Sequence, residues 1–195
     1  MHILFAKYRG KTFALQILFS LLVFLPVIAF AQVSSVKQLK DEIRNLNLLQ
    51  SSTKSGDPWN IDHVITTGEL SNELSASKNQ KPVIFQIGFD FLYMQEHIPG
   101  AIYAGPASKD FGLASLKKAV KYLKKDQSIV IYCGCCPWSH CPNIRPAYKE
   151  LKSLGYTNVK VLYLPDSFAK DWKGMGYEVE KDSSSANKHE SKSKR

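Results

Sequence analysis

Apolar residues recur at Val36, Leu39, Ile43, Leu46 and Leu49, the three- and four-residue spacing of a helical stripe. Ser51 to Pro58 then reads as a linker. Thr66 to Leu74 reads as a short helix, with a threonine at its start and Glu69 in its first turn. The compact apolar run from Pro82 to Ile87 predicts a buried strand, and Phe89 to Gln95 a short helix or turn. His97 to Ile102 is a turn leading into a short strand. Leu113 to Lys125 is amphipathic, with Leu116, Val120 and Leu123 on one side. Ser128 to Tyr132 predicts a strand, and Pro146 to Leu154 a helix closed by Gly155. A strand over Val159–Leu164, a helical turn over Phe168–Lys173 and an extended piece over Tyr177–Glu180 complete the pattern. Strands alternating with helices imply an α/β fold, a mostly parallel sheet covered on both faces. In such sheets the working site lies beyond the carboxyl ends of the strands, and Cys133 stands at one of them.

The two ends of the chain read differently from its middle. Lys7, Arg9 and Lys11 precede an apolar stretch from Phe13 to Phe30, which closes on Ala29-Phe30-Ala31. That is the pattern of a secretory signal peptide over residues 1–31, cleaved after Ala31. An uncleaved segment would instead give weak membrane association. Residues 32–60 form a polar helical leader and linker, 61–180 the folded domain, and 181–195 a disordered basic tail. The formal charge of +9 is shared among the basic start, the tail and the domain. No basic face interleaved with aromatics appears, so nucleic acid is not an expected partner. The predicted location is outside the cytoplasm, periplasmic or secreted.

Export changes how the cysteines are read, because thiols outside the cytoplasm tend towards oxidation. All four, Cys133, Cys135, Cys136 and Cys141, fall within nine positions. Bridges among them would close loops of a few residues, too short to staple a fold. They form a local site instead. A strand that ends in a cysteine and leads through a loop to a helix makes a thiol reactive. Backbone N–H groups and the positive end of the helix both stabilise a thiolate there. Cys133 is accordingly either a nucleophile or an ordinary buried thiol. Cys135, Cys136 and Cys141 are open to three uses: resolving thiols, soft-metal ligands together with Cys133 and His140, or a local disulfide. Gly134, Trp138, Ser139, His140 and Arg145 complete the candidate loop. The Arg145 fork suits a pair of anionic oxygens, and Asn143 is placed to cap the following helix. His97, in its turn, is given a structural part.

Several pieces in a fixed order carry a resemblance. They are Gly68-Glu-Leu, Val83 to Ile87, His97-Ile-Pro-Gly-Ala-Ile102, Ile129 to Cys133, Leu154 to Val159, and Trp172-Lys-Gly-Met-Gly176 with Val179. From about Ile65 to Glu180 the chain resembles a single rhodanese-like domain. The resemblance implies a three-layer α/β/α fold around a five-stranded, mostly parallel sheet. It also implies a sulfurtransferase in which Cys133 takes sulfane sulfur from a small donor such as thiosulfate. The sulfur is held as a persulfide and passed to a thiol acceptor, with no cofactor. The sequence departs from the family at three places. Gln86-Ile-Gly88 stands where Asp-x-Arg is usual, Pro165-Asp166 stands where Gly-Gly is usual, and the cysteine loop is longer and rich in thiols. These departures sustain an alternative: an inactive scaffold whose cysteine cluster binds a soft metal or serves as a thiol–disulfide redox site.

Overall fold

The structure, a computed structural model, describes residues 56–76 and 81–181, together with residues 36, 39, 40, 42–44, 46–48 and 50 of a helix. The expected signal segment and nearly all of the expected basic tail lie outside the described residues. Among those described, no helix is long and apolar enough to cross a membrane.

The sheet has five strands, β1 (Val64–Ile65), β2 (Val83–Gln86), β3 (Ile102–Tyr103), β4 (Ile129–Tyr132) and β5 (Val159–Leu162). Their order is β1-β5-β4-β2-β3, and every pair is parallel. The helices are α1 (Thr67–Ser75), α2 (Asp90–Gln95), α3 (Asp110–Val120), α4 (Ile144–Ser153) and α5 (Phe168–Asp171). The alternation of a strand divides the core in two. Phe85, Ile129, Ile131, Cys133 and Val161 face one side, under Leu116 and Val120 of α3 and Ala147 and Leu151 of α4. Ile84, Val130, Tyr132 and Leu162 face the other, against Leu70 of α1 and Trp172. Each fully buried aliphatic or aromatic side chain here contributes about 1.5–3 kcal/mol through burial.

Local chemistry fixes the ends of the elements. Thr66 and Glu69 form a reciprocal capping box at the start of α1, with Thr66 N donating to the Glu69 carboxylate at 2.8 Å. α3 begins at Asp110 and ends at Val120, earlier at both ends than its apolar stripe suggests. α4 begins at Ile144, two residues before Pro146, which the first turn tolerates because its N–H groups have no helical partner. β1 is a two-residue edge strand, too short for a periodic signal, and hydropathy alone does not reveal it. In the leader helix Val36, Leu39, Ile43 and Leu46 are exposed. Leu48, off the stripe, is the buried one, and with Trp59 it joins the α3/α4 side of the core.

Candidate functional site

Parity decides where the thiol goes. Ile129, Ile131 and Cys133 are every second residue, so the cysteine continues the face of β4 turned towards α4. The residue is only 2% exposed. Its Sγ lies 3.1 Å from the Cys135 Sγ, and the Asn143 Nδ2 donates to it at 3.2 Å. The Asn143 Oδ1 accepts from the Ser108 N–H at 2.8 Å, which fixes the amide and aims its NH2 at the sulfur. Asn143 sits at the N-cap position of α4, yet its side chain caps nothing; it is spent on the thiol instead. These donors hold the Cys133 thiol well below the ordinary thiol range. The Cys135 thiol contributes most, followed by Cys141, against a burial cost, with the Cys135 backbone N–H and Asn143 adding to it. The partners move the other way: Cys135 and Cys141 are pushed up, chiefly as donors to Cys133, while burial raises Cys136. The cluster thus favours a single thiolate, on Cys133.

Two glycines leave room for it. A Cβ at Gly88 would stand 3.0 Å from the Cys133 Sγ and 2.9 Å from its carbonyl oxygen. Gly134 has φ +77° and faces Phe168, whose Cβ would be 2.7 Å from an added Cβ. Gln86 takes the place of the family's charged tie. Buried, it donates from Nε2 to the Cys133 carbonyl at 3.2 Å and accepts the Gly88 N–H at 3.3 Å. A neutral amide therefore joins the ends of β2 and β4, and its significance is not evident from the sequence pattern.

The rest of the loop is pinned down. Trp138 N–H donates to the Pro165 carbonyl at 3.3 Å, and Phe168 N–H to the Gly134 carbonyl at 3.2 Å. The Trp138 ring is buried edge-on against Trp59 and Tyr163, so it covers the loop. Arg145 reaches the buried Asp57 carboxylate at 2.6 Å and the Cys141 carbonyl at 3.3 Å. Its fork clamps the loop to the segment before β1 and is not presented to an anion. Ser139 and His140 are exposed and bonded to each other at 2.8 Å. On the opposite side of β4, Cys133 and Gly134 form part of the wall of a cavity of about 170 Å³. Gln86, Tyr132, Phe168 and the ion pair of Lys173 with Glu96 complete that wall.

Of the five residues weighed as metal ligands, three come together. The sulfurs of Cys133, Cys135 and Cys141 lie within 4.8 Å of one another. The Cys136 sulfur lies 3.0 Å from that of Cys135, and all four cysteines are free thiols. In place of the expected cradle of backbone amides at an open rim, two thiols, a side-chain amide and one backbone N–H, that of Cys135, surround an enclosed sulfur. The physical reason is the longer loop, which folds back over the strand end and carries its own donors.

The rhodanese-like domain family model matches residues 66–164, just over half of the chain. The chain belongs to the rhodanese-like domain family. Among solved structures, the rhodanese-like domain of the Anabaena sp. Alr3790 protein is 20% identical, covering 62% of this chain and 80% of that one, with a TM-score of 0.46. The BH2092 protein of Bacillus halodurans is 20% identical over 73% of this chain and 86% of that one, with a TM-score of 0.49. A rhodanese with anions from E. coli is 19% identical over 52% of this chain and 99% of that one, at 0.34. No curated protein matches. The two rhodanese-like departures at Gln86 and in the cysteine loop meet at one place, around the Cys133 sulfur and carbonyl.

Proposed function

We propose that this rhodanese-like domain is an exported sulfurtransferase that carries sulfane sulfur as a persulfide on Cys133. The reading rests chiefly on one observation: the donors of Cys135, Cys141 and Asn143 converge on a single sulfur at the carboxyl end of β4. A thiolate is the nucleophilic form of cysteine, and donors that stabilise it create it at neutral pH. The Cys133 sulfur attacks the outer sulfur of a small donor such as thiosulfate. A sulfur–sulfur bond forms on Cys133, and the donor's own sulfur–sulfur bond breaks, with sulfite leaving. A thiol acceptor then removes the outer sulfur and restores the thiolate. Mass spectrometry after thiosulfate treatment of reduced protein tests this. The expected result is a gain of one sulfur atom, lost in Cys133→Ala; an unchanged mass in the fully reduced wild-type protein would sink it.

A second reading is favoured by the close approach of three sulfurs. Three thiolates around an ion at about 2.3 Å would stand about 4 Å apart, within the span of this group. Soft thiolate sets select Cu(I) or Zn. The metal content of protein purified anaerobically decides between the readings. A stoichiometric ion that is lost on replacing Cys135 or Cys141 favours the metal, and metal-free protein that takes up sulfur favours the carrier.

A further inference from the structure

The enclosure of Cys133 poses a problem for sulfur transfer that its neighbours solve. At 2% exposure its Sγ offers little approach for a bulky thiol acceptor. Two further sulfurs lead outward from it. The Cys135 Sγ lies 3.1 Å from Cys133, and the Cys136 Sγ lies 3.0 Å from Cys135. Both are only partly buried, so burial falls from Cys133 to the two outer sulfurs. We propose that Cys135 and Cys136 are a sulfur relay, which hands the sulfane sulfur from the buried Cys133 to the surface for delivery to a bulky thiol acceptor. The relay rests on the persulfide reading above and names the route of that same chemistry.

Each step is redox-neutral. In the loaded state Cys133 carries Sγ–SH. The Cys135 sulfur attacks that terminal sulfur, and its proton passes to the Cys133 sulfur as the latter departs. A Cys135 Sγ–S bond forms, the Cys133 Sγ–S bond breaks, and the electron pair stays on the Cys133 sulfur. Cys133–SSH plus Cys135–SH thus becomes Cys133–SH plus Cys135–SSH. The sulfur that leaves is the one that receives the Asn143 amide, so departure from Cys133 is assisted where departure from Cys135 is not. The same exchange across the next contact carries the sulfur to Cys136. Attack on the inner sulfur would instead release hydrogen sulfide and leave a Cys133–Cys135 disulfide, an outcome the test separates.

The test loads reduced wild-type protein, Cys135→Ser and Cys136→Ser with thiosulfate, then adds glutathione or cyanide in a single turnover. Serine keeps an O–H donor beside Cys133 but cannot carry sulfane sulfur. Cys136→Ser is expected to load on Cys133 as the wild type does, and Cys135→Ser, which loses the chief thiol donor to that sulfur, to load more slowly; in both the ratio of glutathione to cyanide rates is expected to fall by about tenfold or more. A merely structural role would slow both acceptors together. Fragmentation of the alkylated wild-type loop peptide is expected to place part of the sulfur on Cys135 or Cys136. An unchanged acceptor ratio with intact loading overturns the relay and leaves the persulfide reading standing. So does hydrogen sulfide release with a Cys133–Cys135 disulfide and no acceptor present. Failure of the wild-type protein to load brings down both.

Discussion

The domain holds two buried polar centres, around His97 and around Cys133, and they are built in opposite ways. His97 is 4% exposed, stacked on Tyr93 with ring centroids 3.9 Å apart. Its Nδ1 lies 2.7 Å from the Tyr93 carbonyl and its Nε2 3.8 Å from the Glu180 carboxylate. Its backbone also exchanges hydrogen bonds with Glu180 in both directions. Every polar group around this ring has its partner, so the centre locks the end of the domain onto the turn before β3. The Cys133 centre is the reverse. Several donors converge on one atom, the Cys133 sulfur. A closed network stabilises the fold, whereas convergence on a single sulfur stabilises a charge on it. Residue type alone does not distinguish the two, since histidine is the commoner catalytic residue and here it is the strut.

The comparison breaks most visibly where a closed network loses a charge. Arg145→Met leaves the Asp57 carboxylate, 2% exposed, without its partner. Removing one member of a buried pair costs about 3–5 kcal/mol, and the partial exposure of the arginine brings the expected loss to about 2–4 kcal/mol. Urea unfolding measures it. A loss under about 0.5 kcal/mol would return Arg145 to the free, anion-binding role open to it in the sequence. His97→Ala comes next. It forfeits the stack, the hydrogen bond and packing, for an expected loss of about 2–3 kcal/mol. Sulfur loading per folded molecule is expected to persist, and its disappearance would mean that the histidine belongs to the chemistry.

Hydropathy made most of the domain readable, because parallel strands buried on both faces are continuous apolar runs. Val83–Gln86, Ile129–Tyr132 and Val159–Leu162 stand out for that reason. β1 was not legible, since two residues carry no period. The cysteines announced the site, and the parity of β4 was available to place Cys133 on the α4 face. The sequence did not reveal its enclosure, which depends on how a loop without periodicity folds back. Gln86 and Asn143 were the functional side chains missed. A lone polar residue ending an apolar strand, as Gln86 does, is the only local sign that such a group has a buried partner. Asn143 has the composition of a helix cap, and only the position of the Ser108 N–H diverts it to the sulfur. Arg145 was legible as a fork suited to a pair of anionic oxygens, but Asp57, the carboxylate it meets, lies almost ninety residues earlier and nothing local links them.

A smaller change sharpens the picture of the sulfur. Asn143→Leu removes one donor to the thiolate while keeping the bulk, so the Cys133 titration should move up by about one unit, or about 1.4 kcal/mol. The sign follows from the charge, because a lost donor disfavours the anion. A folded-state value depressed by its partners contributes stability above the unfolded thiol range, which is lost as pH falls through the folded value. Ultraviolet titration of thiolate, with Cys133→Ala as the blank, reads the midpoint directly. An unmoved midpoint would show that the two thiols hold the charge without the amide.

The smallest expected effect, on stability, comes from the centre itself. If the Cys133 sulfur were a strut like His97, Cys133→Ala would cost several kcal/mol. The structure argues otherwise. The sulfur is enclosed, so its removal leaves a small void and loses packing worth about 1 kcal/mol. The change also removes a buried charge whose desolvation is more than offset by its donors, so its loss adds to the cost. Asn143 loses one acceptor but keeps its bond to the Ser108 N–H, and the Cys135 thiol remains in contact with Cys136. These retained contacts limit the loss, for an expected net cost of about 1–2 kcal/mol in urea unfolding at neutral pH. Sulfur uptake, by contrast, should vanish. A variant that unfolds as readily as His97→Ala would place both centres in one class, and the distinction between strut and carrier would fail at the residue on which it was drawn.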